Sequence, residues 1–581
     1  MRRNRIDEPG PTANRFFENR MRWMNELTRG LRGMDLVDDP LLNKGTAFSE
    51  AERDALGLHG LLPPDVETID QQADRAYEAF SAQDSDLAKH VYLRDLQDRN
   101  ETLHYALLDR HIAEMNPIVY DPVVAQAIEQ FAHIYRRPRG LYLSYPLRHK
   151  MREMLANRPH KEVDAIVVTD GGRILGIGDQ GVGGMGISIG KLALYTLMGG
   201  IAPERCLPIC LDVGTDNQER LNDPRYFGWK HRRVADAEYF AFIDEFVEAI
   251  RAELPHVLLQ WEDFAKPHAR PILDKYRDQL CTFNDDIQGT AAVVLGAVYA
   301  ALHVTEKPMK EQTVVILGAG GAGTGIASYL LKAMEEDGLP GDEARRRFYL
   351  VDVDGLLTES TKDLSPVQKR FAQPDETVKG WKWFGKTASL ADVIKHVDAT
   401  MLIGVSTVPD LFTKSIVREM ASKVDRPIIF PLSNPTEKAE AKAPDLISWT
   451  DGKALVATGI PVDPVHHGGK VYDIGQANNF FIFPAIGLAV AATKARRVTD
   501  AMMIAAARAL GQAAPAITDP TKALLPPLAG IREVMVQIAA AAAEVGVQEG
   551  HIDRAGPAEL RTKIRSSMWN PVYRDFNGGD R

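Results

Sequence analysis

The chain is short of cysteine, of long apolar runs and of positive charge, and each shortage removes a class of protein. Only Cys206, Cys210 and Cys281 occur in 581 residues. An odd, sparse set does not staple a secreted fold, and the spacing of Cys206 and Cys210 fits neither a zinc knuckle nor a redox pair, so all three read as thiols in a reducing compartment. The longest apolar run, near residues 480–492, falls well short of the ~18–20 residues that span a bilayer. The first seven residues mix arginine with acids and carry no apolar stretch, unlike a secretory signal, and Asp7, Glu8 and Glu18 do not suit an acid-poor transit peptide. The expectation is a cytoplasmic protein with no membrane partner. A net charge of −10 argues against nucleic acid as the main partner. No HExxH motif and no internal repeat occurs, and the alanine-rich stretch near 539–544 is the only biased segment. The pair His466-His467 sits in a glycine-rich turn and reads as surface.

What is present is length and alternation. A chain of 581 residues exceeds a single core and predicts two to four domains of roughly 100–200 residues each. Residues 1–40 form a polar extension in which Phe16, Phe17, Met21, Met24 and Leu27 recur at helical spacing, a face to pack on the body or on a partner subunit. From Ser49, a plausible N-cap, to about Glu162 the patterns are helical, with an exception at 118–121 between Pro117 and Pro122. Residues 165–168 read as a strand, 169–172 as a turn and 173–175 as a second strand. A glycine-rich stretch then leads from Gly176 to Gly190 into a helix over 191–198. Beyond it, apolar strands alternate with helices. The strand at 257–261 ends in Glu262-Asp263, that at 280–283 ends in Asn284-Asp285-Asp286, and that at 313–317 runs into Gly318. The strand at 348–351 ends in Asp352, and 399–403, 428–432 and 454–457 are further strands. Such alternation predicts α/β layers around mostly parallel sheets.

The pattern GxGxxG occurs three times, at Gly176/Gly178/Gly181, Gly181/Gly183/Gly186 and Gly318/Gly320/Gly323, so the bare pattern decides little. Context separates the third copy: it follows an apolar strand, opens a helix, and is followed by a strand closed by Asp352. Gly318, Gly320, Ala322 and Gly323 would bring backbone and a helix N-terminus to a pyrophosphate, and Asp352 would bind the adenosine ribose. An acid there favours NAD over NADP, whose 2′-phosphate it would repel, although Lys369 and Arg370 lie downstream within reach of a phosphate. A P-loop is excluded at Gly190-Lys191, because Leu192 stands where serine or threonine is needed. The fold class is thus α/β, with a Rossmann-type dinucleotide-binding domain, an N-terminal mixed α/β domain and a helical N-terminal region.

The acid pairs Glu262-Asp263 and Asp285-Asp286 each follow a strand, where α/β sheets open their ligand crevices. Carboxylates converging there repel one another without a cation, and oxygen-only ligands suit Mg²⁺ or Mn²⁺ rather than zinc. Taken singly, such a pair is usually a solvated loop.

The joint pattern resembles the malic enzymes. The stretches that carry the resemblance are Asn116-Pro-Ile-Val-Tyr120, Arg136-Arg-Pro-Arg-Gly140, Val167-Val-Thr-Asp-Gly171, Arg173-Ile-Leu-Gly176, Gly186-Ile-Ser-Ile-Gly-Lys191, Asp212-Val-Gly-Thr215, Glu262-Asp-Phe264, Thr282-Phe-Asn-Asp-Asp-Ile-Gln-Gly289, Leu432-Ser-Asn-Pro-Thr436 and Gln476-Ala-Asn-Asn479. They lie in order within a match that runs from about Leu41 to Tyr573. The resemblance implies an NAD-dependent enzyme that oxidatively decarboxylates (S)-malate to pyruvate and carbon dioxide with a divalent metal. It also admits decarboxylation of oxaloacetate and the malolactic alternative, in which lactate is released. A non-catalytic NAD-binding protein would be expected to have lost Tyr120, Lys191 or a metal acid, and none is lost. In roles, the resemblance implies Tyr120 as general acid and Lys191 as general base with Asp285 beside it. Glu262, Asp263 and Asp286 would hold the metal. Arg173, Asn434 and Asn479 would hold malate, with Asn478 nearby, and Asn434 also faces the cofactor. It implies a homodimer or homotetramer, and a dicarboxylate effector near Arg75 and Arg99. The corresponding domains would be an extension to residue 40, a substrate and metal domain over 41–284, an NAD-binding domain over 285–545 and a helical segment over 546–581. Departures from the family pattern are Asp121, Trp261 and Lys266-Pro-His268.

Overall fold

The computed structural model describes residues 24–383 and 386–576. These form two compact units, one of residues 24–138 with 569–576 and one of residues 139–568. In the expected amphipathic stretch, Phe16, Phe17 and Met21 lie outside the described residues. Met24 is fully buried and Leu27 packs against the same apolar cluster, with Leu36, Phe48 and Phe576.

The first unit is helical. Its long helices are Ile69–Ser81, Asp86–Arg99 and Glu101–Arg110, capped by Thr68, Ser85 and Asn100. The end of the chain folds onto them: Tyr573 accepts from Asn100 Nδ2 at 2.8 Å and donates to Gln72 at 2.6 Å, and Trp569 meets Tyr105 edge-on. The expected exception after Pro117 is instead helix, Ile112–Val119. Proline's fixed φ is already helical, and in so short an element it removes a single ladder bond. His90 is buried and donates from Nδ1 to Ile118 O at 2.8 Å, tying this helix down. Burial depresses the His90 pKa from 6.5 to about 4. The unfolded chain therefore takes up a proton that the folded unit refuses. The contribution of neutral His90 is full above pH 6.5 and is lost as pH falls towards 4. We expect about 2 kcal/mol of stability to disappear between pH 7.5 and pH 5 through this group. Denaturant titrations of wild type and His90→Gln at the two pH values check it, since the variant should lose that share of the pH dependence.

The second unit holds two parallel sheets. The first contains β1 (Leu141–Ser144), β2 (Ala165–Thr169), β3 (Cys206–Asp212), β4 (Leu258–Trp261) and β5 (Thr282–Asn284) in the order β1-β3-β2-β4-β5. Every pair is parallel. Its three inner strands, β3, β2 and β4, are almost wholly buried and read as continuous apolar runs, as strands covered on both faces do. The second sheet contains β6 (Val314–Leu317), β7 (Phe348–Asp352), β8 (Gly355–Leu356), β9 (Met401–Gly404), β10 (Ile428–Pro431), β11 (Leu455–Thr458) and, beyond the hairpin β12 (Val465–His467) and β13 (Lys470–Tyr472), β14 (Gly475–Gln476). The order is β14-β11-β10-β9-β6-β7-β8, parallel apart from the β7–β8 edge. In both sheets the chain doubles back past a central strand, β2 in the first and β6 in the second. The crevices beyond the carboxyl ends of those strands are where α/β sheets bind ligands.

Sequence reading passes over β3 because Pro208 demotes a strand. Pro208 is tolerated because β1 begins only opposite Ile209, so this part of β3 is paired on the β2 side alone. Residues 173–175 are a turn rather than a strand. Leu175 has a φ of 39°, and the backbone N–H groups of Arg173 and Leu175 donate to Asp263 instead of to a neighbouring strand. The helix expected from Lys191 begins earlier, at Met185, and runs to Leu197 with nearly every residue buried. Burial there outweighs the helix cost of Gly186 and Gly190, about 1 kcal/mol each. Among the described residues, the one helical stretch both long and apolar enough to cross a membrane is 285–305, and 78% of its apolar window is buried inside the protein.

Candidate active site

The carboxyl ends of β4 and β5 each deliver acids to one crevice. Glu262 and Asp263 follow β4, and Asp285 and Asp286 follow β5. Oxygen atoms of Glu262, Asp263 and Asp286 lie within 4.8 Å of one another. Burial, reinforced by their mutual repulsion, pushes the Glu262 and Asp263 carboxyls well above the ordinary carboxylate range and raises Asp286 as well. Asp263 sits at φ 53°, a left-handed conformation that an aspartate adopts only when held. Its carbonyl accepts from Arg173 N, its Oδ2 accepts from Leu175 N, and its own N–H donates to Asp286 Oδ2 at 2.9 Å. The next turn, Asp285–Gly289, is a π-helical turn capped by Asn284, a distortion that commonly marks functional sites.

Lys191 enters from the helix packed beside β2 and β3. It is 1% exposed, pairs with Glu262 Oε1 at 2.9 Å and with Asp285 Oδ2, and lies over the Phe483 ring at 4.7 Å. One ammonium and four acids leave the cluster strongly negative, an arrangement that stands only with protons or a cation added. The oxygen-only donor set fits Mg²⁺ or Mn²⁺.

Arg173 projects from the turn after β2. It is exposed, and its guanidinium makes no hydrogen bond or ion pair with any described residue. Its loop is held by Arg233, which pairs with Asp170 at 3.2 Å and with Asp179 at 2.9 Å. Tyr239 donates to Asp170, and His268 stacks on Tyr239, so the Lys266–His268 departure is absorbed as packing. Asn479 donates to Asp285 O and Oδ2 at 3.0 and 3.1 Å. Asn478 caps the short turn that follows it, and Asn434 is exposed beyond β10.

Gly318 leaves β6 at φ 104°, and a Cβ there would stand 2.6 Å from Val405 O, so only glycine fits. Gly320 caps the helix Gly321–Glu336, and a Cβ on Gly320 or Gly321 would meet open space, which is the room a pyrophosphate needs. Ala322 and Gly323 form the first turn of that helix. Asp352 ends β7 and accepts from Val353 N. One turn further along, Gly325 packs against the acidic turn, where its Cβ would stand 3.0 Å from Ile287 O.

Tyr120 belongs to the first unit, buried at the end of the helix Ile112–Val119. Arg75 is paired with Glu67 at 2.6 Å, Arg99 with Asp95 at 2.6 Å, and both act on the Tyr92 hydroxyl.

Two family models match this chain: the malic enzyme N-terminal domain over residues 97–277 and the malic enzyme NAD-binding domain over residues 287–547. The chain is 50% identical over 544 residues to the NAD-dependent malic enzymes of Pectobacterium carotovorum and Edwardsiella ictaluri, covering 94% of this chain and 96% of each relative. It belongs to the malic enzyme family. The Entamoeba histolytica malic enzyme shares the fold at 22% identity with a TM-score of 0.54, over 89% of this chain and 92% of that one. The Pyrococcus horikoshii malic enzyme does so at 25% identity with a TM-score of 0.52, over 78% and 89%.

In this malic enzyme several residues that build the site were invisible to motif reading. Gln260, fully buried on β4, donates to Glu262 Oε2 at 2.8 Å and accepts from Tyr195. Asp500 gathers Arg277, Gln288, Tyr329 and Lys332, and so ties the acidic turn to the helix behind the glycine loop. These cations hold the Asp500 carboxyl well below its ordinary range. Gln260 lies two residues before an acid on a strand, and that spacing is the single sequence signal that could have found it. Asp500 offers none.

Proposed function

We propose that this malic enzyme oxidatively decarboxylates (S)-malate to pyruvate and carbon dioxide, reducing NAD. The observation that carries the reading is the group of buried Glu262, Asp263 and Lys191 with half-buried Asp286 at the mouth of one crevice. It stands in the same compact unit as a glycine loop closed by an acid at the end of β7. The acid at position 352 favours the ribose diol of NAD, and the curated relatives at 50% identity carry the NAD-dependent name.

Glu262, Asp263 and Asp286 would hold the divalent metal, which supplies a Lewis acid for malate's hydroxyl and carboxylate. NAD supplies the hydride acceptor, held at Gly318, Gly320, Ala322, Gly323 and Asp352 with Asn434 at the nicotinamide side. The exposed Arg173 guanidinium grips a malate carboxylate as a bidentate fork. Lys191 takes the proton of the C2 hydroxyl, and Asp285, on the same Nζ, orients it and shares that proton. Asn479 keeps Asp285 in place, and Asn478 fixes the turn that carries Asn479. After carbon dioxide leaves, Tyr120 delivers a proton to C3 of the enol. The domain division falls at residues 284/285, between β5 and its acidic turn. The enzyme works as a homodimer or homotetramer, with Arg75 and Arg99 as a dicarboxylate effector site.

Initial rates with malate and Mn²⁺, comparing NAD with NADP, test this directly. NADH and pyruvate should form in equal amounts, with NAD the better acceptor. Lactate without net NADH would replace this reading with the malolactic one. In the same assay at sub-saturating malate, added fumarate should raise the rate, and an unchanged rate would remove the effector assignment.

A further inference from the structure

Glu440 is a buried acid for which the chemistry above has no use. It is 0% exposed, and its side chain lies directly against β9, where a Cβ on Gly404 would stand 2.5 Å from its Cδ. Its carboxylate is held by two serines at the carboxyl ends of neighbouring strands. Oε1 accepts from Ser406 N at 2.8 Å, Ser406 Oγ at 2.7 Å and Ser433 Oγ at 2.5 Å, and Oε2 accepts from Ser433 N at 3.3 Å. Ser433 Oγ accepts in turn from Thr407 N at 2.9 Å. One carboxylate thus bolts the turn after β9 to the turn after β10.

Both turns matter to the crevice. The first is the wall against which Gly318 packs, through Val405 O. It contains Thr407 at φ 59°, a conformation that needs external support. The second carries Asn434. It also reaches the other half of the unit, because Pro435 Cδ would lie 3.3 Å from a Cβ on Gly176, in the loop that bears Arg173. Acceptance at both oxygens is a pattern that an amide cannot copy. Glutamine could keep its oxygen at the Oε1 position, but its NH₂ would then face Ser433 N–H, donor against donor.

We propose that Glu440 is a positioning residue that sets Asn434 for the substrate and nicotinamide, without touching either. This rests on the reading of Asn434 given above. The test is a double-mutant cycle on the full-length, metal-loaded enzyme with malate and NAD: wild type, Asn434→Ala, Glu440→Gln and the double variant. A misplacement of about an ångström in a reacting group costs on the order of 100-fold, so Glu440→Gln should lower kcat/KM for malate about 10- to 100-fold. NADH affinity, read by fluorescence, should fall less than kcat/KM does, because the helix N-terminus at Gly320 and Gly321 lies outside the hydrogen bonds that Glu440 makes. In the Asn434→Ala background the same change should cost less than about twofold. An equal loss in both backgrounds would reduce Glu440 to general structural support and overturn the proposal, as would a fully active Glu440→Gln. Should Glu440→Gln fail to fold, Ser433→Ala takes its place in the cycle, judged by the same criterion. A wild type that makes no NADH from malate would sink the functional reading itself, which is a different result.

Discussion

Lys191→Met is expected to lower kcat for malate by about 10²–10⁴-fold, the range of a lost general base. The substitution keeps the buried aliphatic length that lies against Phe483 and removes the charge that pairs with Glu262 and Asp285. Two further results distinguish a base from a scaffold. Removing a cation from beside Glu262 should leave Mn²⁺ affinity unchanged or tighter, because the ammonium and the metal neutralise the same acids. NADH affinity should hold, since the glycine loop is built from other strands. Without metal, the variant should be less stable than wild type, because two buried carboxylates lose their partner, a loss of about 3–5 kcal/mol in comparable sites. Stopped-flow turnover, Mn²⁺ titration by electron paramagnetic resonance and thermal melts read the three effects. Full activity would remove Lys191 from the proton path. A Mn²⁺ affinity weakened more than about tenfold would recast it as part of the metal scaffold.

Asp286→Asn gives the second large effect. Saturating Mn²⁺ should stabilise the wild-type protein by about 2.7 kcal/mol at a hundredfold excess over its Kd. The variant should lose most of that stabilisation and at least about a hundredfold in kcat, since Lewis-acid assistance is worth several kcal/mol. The metal-free variant should nonetheless be as stable as metal-free wild type, because a like charge beside Asp285 has gone. Melts with and without Mn²⁺ decide it. An unchanged metal-dependent shift would show that Asp286 is not a ligand.

The layers of the second unit were legible because its strands are apolar runs ending in acids or glycine. The strands ending before Glu262, Asp285 and Gly318 and the strand ending at Asp352 stand within two residues of where the sequence puts them. What was not legible was decided by tertiary contact. Pro208 hides β3 because nothing local reveals that β1 starts one residue later. The Arg173–Leu175 turn looks like a strand until Asp263 captures its N–H groups. Among site residues, Lys191 and the acids belong to motifs, whereas Arg233, Asp500 and, through Ser406, Glu440 act through partners tens to hundreds of positions away in the chain. Such residues carry no spacing signature, so only a structure reveals them.

The contact between Gly325 and Ile287 O has a consequence for remodelling this enzyme. The helix that opens at the glycine loop rests there, backbone to backbone, on the turn that bears Asp285 and Asp286, and Asp500 clamps the same two elements from the far side. The two elements that carry the nucleotide loop and the acidic turn therefore meet at a glycine, where any added side chain would press on the Ile287 carbonyl. Exchanging residues around the crevice can change which acid is admitted and how it is gripped. It leaves the spacing between the nucleotide loop's helix and the acidic turn where the backbone sets it, so widening that spacing calls for a new backbone rather than a new pocket lining.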